Sequence, residues 1–235
     1  MTSCSAQRAI LVAGLLVSAA QAQTTSPIQV YGAWHCGSDY CTWSTVRDAT
    51  DFDTKNHWLI DRGDGHPSVN VVVLSFVHPL RLLQQTNDAQ TVNGVPRGMT
   101  ADVVNYFKSR GVRVMLSIGG ITYVEAWNQA LALNGSKLGY AAADLATLLG
   151  VGIEIDYEEN SSPNLAALQQ FIDAYRTVHP YDPSGLDPTA RLTIDLAAGR
   201  RPHRCQLHCS PWRHSSDARS PWPKASLGLR NGSRA

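Results

Sequence analysis

The chain has 235 residues, 43% hydrophobic and 17% charged, with a formal net charge of +1. That length suits a domain with a sizeable core, and the near-neutral balance leaves no chain-wide basic footprint for nucleic acid. The balance is uneven, however: of 20 Lys and Arg residues, 7 fall within 201–235, beside a single acid, Asp217.

Residues 1–22 read as a secretory signal peptide. Arg8 supplies the positive n-region, Ala9 to Ala20 form an apolar run too short to span a bilayer, and Ala20-Gln21-Ala22 is a small-x-small cleavage site. No later segment is apolar enough for a membrane helix, so a soluble, secreted protein in an oxidising compartment is expected. Ile28 to Trp34 is a predicted first strand. Cys36 and Cys41 then flank Gly-Ser-Asp-Tyr, a turn-like loop, and are expected to pair as a disulfide. Triplets at Asn134, Asn160 and Asn231 are N-glycosylation acceptors if the host is eukaryotic.

Strands then alternate with helices, the pattern of an α/β fold with a parallel sheet. Asn70 to Phe76 is a β-branched run suited to a buried second strand. Val103, Val104 and Phe107 mark one face of a helix over Ala101 to Arg110, which Gly111 terminates. Val112 to Ile118 is the third strand, and Val124 to Leu133 and Leu138 to Leu149 are two helices. Gly152 to Glu158 is the fourth strand. Ser162-Pro163 opens a helix with Leu165, Leu168, Phe171, Ile172 and Tyr175 on its inner face. Arg191 to Ala197 is the fifth strand, and no repeat or low-complexity linker divides residues 23–200.

Residues 201–235 lack helical or strand periodicity and begin abruptly after a good strand. Genuine basic arms are Lys-rich and poor in Trp and Cys, so this tail reads as the product of a shifted reading frame or a mispredicted splice. Cys205 and Cys209, with His203, His208 and His214, match no standard zinc spacing, so no metal site is expected there.

The fourth strand carries the chemistry. Side chains alternate along an extended strand, so Glu154, Asp156 and Glu158 share one face while Ile153, Ile155 and Tyr157 share the other. Mutual repulsion among such acids raises at least one pKa, which keeps a carboxylic acid protonated near neutral pH. The run Val151-Gly152-Ile153-Glu154-Ile155-Asp156-Tyr157-Glu158 resembles the Asp-x-x-Asp-x-Asp-x-Glu signature of the family 18 glycoside hydrolases, the chitinases and related endo-N-acetylglucosaminidases. Upstream, Val114-Met115-Leu116-Ser117-Ile118-Gly119-Gly120 resembles that family's strand ending in Ser-x-Gly-Gly. Val151 stands where the first Asp is usual, and Glu154 replaces the second.

The resemblance covers residues 28–199. It implies a (β/α)8 TIM barrel, for which this chain offers material for only about five of eight strands, so poor stability is expected. It implies that Glu158 is the general acid, that Asp156 orients the substrate's acetamide, and that Glu154 shares a proton with Asp156. Tyr31 and Trp34 could stack on sugar rings, with ordinary core packing as the alternative. Ser117, Gly119 and Gly120 would shape the cleft floor by close backbone approach. Asp195, on the fifth strand, reads as a structural hydrogen-bond partner that could also face the cleft. The implied activity is substrate-assisted, retaining hydrolysis of β-1,4-linked N-acetylglucosamine in chitin or its oligosaccharides. It needs no cofactor, nucleic acid or membrane, and a monomer is expected. The alternatives are a non-catalytic chitin-binding or lectin-like relative, and an inactive truncated fragment.

Overall fold

The computed structural model describes residues 30–36 and 41–195. The expected signal segment, the basic tail and the part of the last predicted strand beyond Asp195 lie outside those residues. The chain divides into two units, Met1–Ala197 and Ala198–Ala235, and every described residue belongs to the first.

β1 (Gly32–His35) leads past the Cys36–Cys41 disulfide to α1 (Ala49–Ile60). β2 (Val71–Val77) is followed by α2 (Pro79–Gln84), a short hairpin of β3 (Thr91–Val92) and β4 (Val95–Pro96), and α3 (Ala101–Lys108). After β5 (Arg113–Gly119), a 3-10 turn at Ile121–Tyr123 opens α4 (Val124–Leu149). β6 (Gly152–Asp156), α5 (Leu165–Val178) and β7 (Leu192–Asp195) follow.

Side-chain caps decide where the helices begin. The Thr100 hydroxyl accepts the Val103 N–H at 3.3 Å at the start of α3, satisfying a donor the helix cannot pair itself. Asn164 does the same for Ala167 at 3.1 Å, so α5 starts after Asn164 rather than at Ser162-Pro163. In α4, Asn134 leaves helical geometry at φ −171°, ψ 94°, and its side chain accepts the Lys137 N–H at 2.8 Å. The element is thus two helical stretches joined at an internal cap, close to the two helices read from sequence. α1, α2 and the hairpin went unrecognised. α1 buries Phe52, Leu59 and Ile60 but leaves Trp58 58% exposed, so its apolar spacing is weakly periodic.

The main sheet runs in the order β1-β2-β5-β6-β7, with every neighbouring pair parallel. The register sorts the strands into two faces. Val72, Leu74, Val114, Leu116, Ile118, Ile153 and Ile155 join the same buried cluster as Phe52, Phe107, Trp127, Leu138 and Phe171 from the helices. Burying each large apolar side chain stabilises by roughly 2 kcal/mol, so this helix-covered face holds the fold. α4 and α5 pack backbone to backbone: a Cβ at Gly135 would run into the Ala167 carbonyl, and one at Gly139 into that of Phe171.

The opposite face carries Trp34, Val73, Ser75, Met115, Ser117, Glu154, Asp156, Thr193 and Asp195, aligned through the register. Ser75, Ser117, Glu154 and Asp156 are buried there. Polar groups thus concentrate on the face opposite the one that the described helices pack against.

Candidate active site

β6 places Glu154 and Asp156 on one side and Ile153 and Ile155 in the core, as alternation requires. The strand ends at Asp156, so Glu158 lies in the segment that follows rather than on the strand itself. It still lies close enough to Asp156 for its charge to raise that group. The chain is anchored on both sides of Glu158. Tyr157 donates from its hydroxyl to Asn128 Oδ1 at 2.6 Å, and Asn128 donates to Glu159 Oε2 at 3.3 Å. Glu159 also accepts hydrogen bonds from Ser161 and Ser162, which hold its carboxyl down at about 2.

Glu154 and Asp156 are each only 4% exposed. Burial pushes Glu154 up to about 7, with the charge of Asp195 adding to it and the Trp34 indole opposing it. Burial also pushes Asp156 up to about 7, reinforced by the charges of Glu158, Asp195 and Glu154. Desolvation therefore outranks the mutual repulsion inferred from the sequence, because both carboxyls are almost wholly withdrawn from water. A pair of carboxyls that half-titrate near neutrality can give and take protons at the same pH.

Trp34 Nε1 donates to both Glu154 oxygens, at 3.1 and 2.9 Å. β1 and β6 are separated by β2 and β5, which in a flat sheet sets them about 14 Å apart. The bond therefore requires the sheet to curl toward the carboxylate face. Ser117, fully buried and paired in register with Glu154, lies close enough to favour that group's charged form. Its hydroxyl and Asp156 Oδ1 nevertheless have no hydrogen bond of standard geometry.

Gly119 and Gly120 end β5 beside Asp156. Gly119 has φ +124°, and a Cβ there would collide with the Asp156 carbonyl and the Trp127 indole nitrogen. Gly120, at φ +94°, donates its N–H to the Asp156 carbonyl at 3.0 Å and packs against the Phe76 ring. Trp127 completes the junction from α4, donating to the carbonyls of Ile118 at 3.1 Å and Asp156 at 3.0 Å. Sequence reasoning assigned Trp127 no role, since its helical position carries no sign of what its indole reaches.

Tyr31 requires a correction. It precedes β1, and its N–H donates to Asn70 Oδ1 at 2.8 Å, at the N-terminal end of the sheet. The carboxylates lie at the C-terminal ends of their strands, so Tyr31 and Trp34 are on opposite ends and, by alternation, opposite faces. Asp195, by contrast, pairs in register with Asp156 and faces the cluster.

Among the described residues, no group of three or more His, Cys, Asp or Glu side chains is arranged to hold a metal ion. No described helix is long and apolar enough to cross a membrane. The fold and site define a parallel α/β protein with a buried carboxylate cluster at the C-terminal ends of its strands. No family model, curated protein or solved structure matches the chain.

Proposed function

We propose that this protein is a secreted glycoside hydrolase of chitinase type, cleaving β-1,4-linked N-acetylglucosamine with Glu158 as the proton donor. The observation that carries the reading is the burial of Glu154 and Asp156 on one face of a parallel strand, two residues before Glu158, with both buried acids pushed up to about 7. In the mechanism implied by the resemblance, Glu158 protonates the departing glycosidic oxygen. The substrate's acetamide oxygen attacks the anomeric carbon, and water opens the resulting oxazolinium ion with net retention. Asp156 orients the acetamide, and Glu154 exchanges a proton with it.

The proposed architecture is a (β/α)8 barrel of which the described residues supply five strands. Three features support it. The strands lie in sequence order without the reversal that marks doubly wound sheets, and their helices share one core on a single face. The Trp34–Glu154 bond spans the curled inner face. A binding-only relative is the second reading, favoured by Trp34, which is 57% exposed and offers a stacking surface beside the acids.

Replacing Glu158 by Gln tests the choice. Hydrolysis of an N-acetylglucosamine oligosaccharide should fall by about 10²- to 10⁴-fold while oligosaccharide binding persists. Binding without turnover by the unmodified protein would establish the lectin-like reading. Equal turnover by both forms would remove Glu158 from the mechanism.

A further inference from the structure

We propose that Asp195 is a positioning residue for this cluster: from the neighbouring strand, its carboxylate holds a proton on the Glu154–Asp156 pair and so sets the pH range of the site. The inference rests on the glycosidase reading for its catalytic consequence, but not for its electrostatic one.

The geometry is that of adjacent parallel strands. Asp156 pairs with Asp195 and Glu154 with Thr193, so Asp195 stands one strand spacing, about 4.8 Å, from Asp156 on the same face. Among the described residues, no basic side chain acts on the Glu154–Asp156 pair. From β5 the cluster meets Ser117 and Gly119, from β1 Trp34, and from β7 Thr193, none of them charged. The helices cover the other face. The charged groups raising Asp156 are Glu158, Asp195 and Glu154, all carboxylates, and Asp195 raises Glu154 as well. Asp156 Oδ1 is buried without a partner, so no hydrogen bond to that oxygen offsets the repulsion. Asp195 itself is exposed, so water supports its charge while the pair beneath it is desolvated. The result is an asymmetric cluster: one solvated charge outside, and protons retained inside.

The test is a side-chain carboxyl ¹³C NMR titration of the full chain. In Asp195→Asn, the titrations of Glu154 and Asp156 should each move down by about 0.5–1 pH unit, the size expected of one partly screened neighbouring charge. In Asp195→Glu, which keeps the charge, they should stay near their original positions. Asp144→Asn, which removes an exposed charge from α4, should move neither. Raising the ionic strength of the unmodified protein should shift the pair in the same direction as Asp195→Asn. If the Asn variant does not fold, Asp195→Ser, which also removes the charge, makes the same residue-specific measurement.

Unmoved titrations in Asp195→Asn, or equal movement in the Asn and Glu variants, would overturn the proposal. The pH profile of oligosaccharide hydrolysis separates the two readings. A titration shift with no turnover by the unmodified protein sinks the glycosidase reading alone. Turnover whose pH profile ignores Asp195→Asn sinks this inference alone.

Discussion

Trp34 and Glu154, 120 residues apart in sequence, share one indole hydrogen across the curled face of the sheet, at 3.1 and 2.9 Å to the two carboxylate oxygens. The donor favours the charged carboxylate and so works against burial and against Asp195. The position of Glu154 near 7 is therefore a balance of opposed effects, each of which can be removed separately.

Trp34→Phe removes the donor and leaves the ring. Glu154 should then titrate about one unit higher than in the unmodified protein, the scale of one hydrogen bond to a carboxylate. The sign is opposite to that expected for Asp195→Asn, so the two variants check each other. A titration that stays put or falls in Trp34→Phe would mean that the indole does not hold Glu154 in solution.

The same shifts predict how stability varies with pH. Glu154 and Asp156 have folded-state values near 7, above their ordinary 4.5 and 3.8, so the folded protein binds more protons than the unfolded chain between those limits. Their contribution is fully present below about pH 4 and is lost as pH rises through 7. Glu159 and Asp182 act in the opposite sense: both are held at about 2, so their contribution is present above their ordinary values and lost as pH falls through 2. Thermal unfolding should therefore give its highest Tm near pH 4–5 and a falling Tm from there to pH 8, with His35 and His78, which burial lowers, opposing but not reversing the fall. A double Glu154→Gln, Asp156→Asn variant should flatten the neutral limb. A Tm that rises from pH 5 to 8 in the unmodified protein would contradict the buried acids' proton load.

Gly119 and Gly185 both have positive φ, +124° and +66°, yet they differ in surroundings. An added methyl at Gly185 meets nothing within 4 Å, so Gly185→Ala costs only the backbone conformation, about 1 kcal/mol. At Gly119 the methyl meets a carbonyl and an indole nitrogen of the site, and neither can move without breaking the Trp127–Asp156 bond. Gly119→Ala should cost about 3 kcal/mol or more, read from the denaturant midpoint. Similar costs at both positions would show that the junction of β5, β6 and α4 yields more easily than its packing suggests.

Much of the frame was legible because it rests on local pattern. The β-branched run of β2 and the apolar spacing of α3 and α5 each follow from periods within a few residues. So does the polar–apolar alternation of β6. The legible part of the site was of the same kind: Glu154 and Asp156 share a face because a strand has period two, and glycines mark the close approach at the end of β5. α1 and α2 escaped because their apolar faces are short and interrupted by exposed aromatic or polar side chains. Tyr31 was misassigned because alternation and strand direction need the true first residue of β1, which the sequence does not mark.

The sequence by itself thus determined which residues are acids on a common strand face, because backbone geometry alone imposes that alternation. Only the tertiary structure decided what those acids are. Burial of Glu154 and Asp156, the reach of Trp34 across the curled sheet and the register that sets Asp195 beside Asp156 all depend on residues 39 to 120 positions away. Desolvation and Coulomb repulsion act through space, so no local pattern in the chain encodes them.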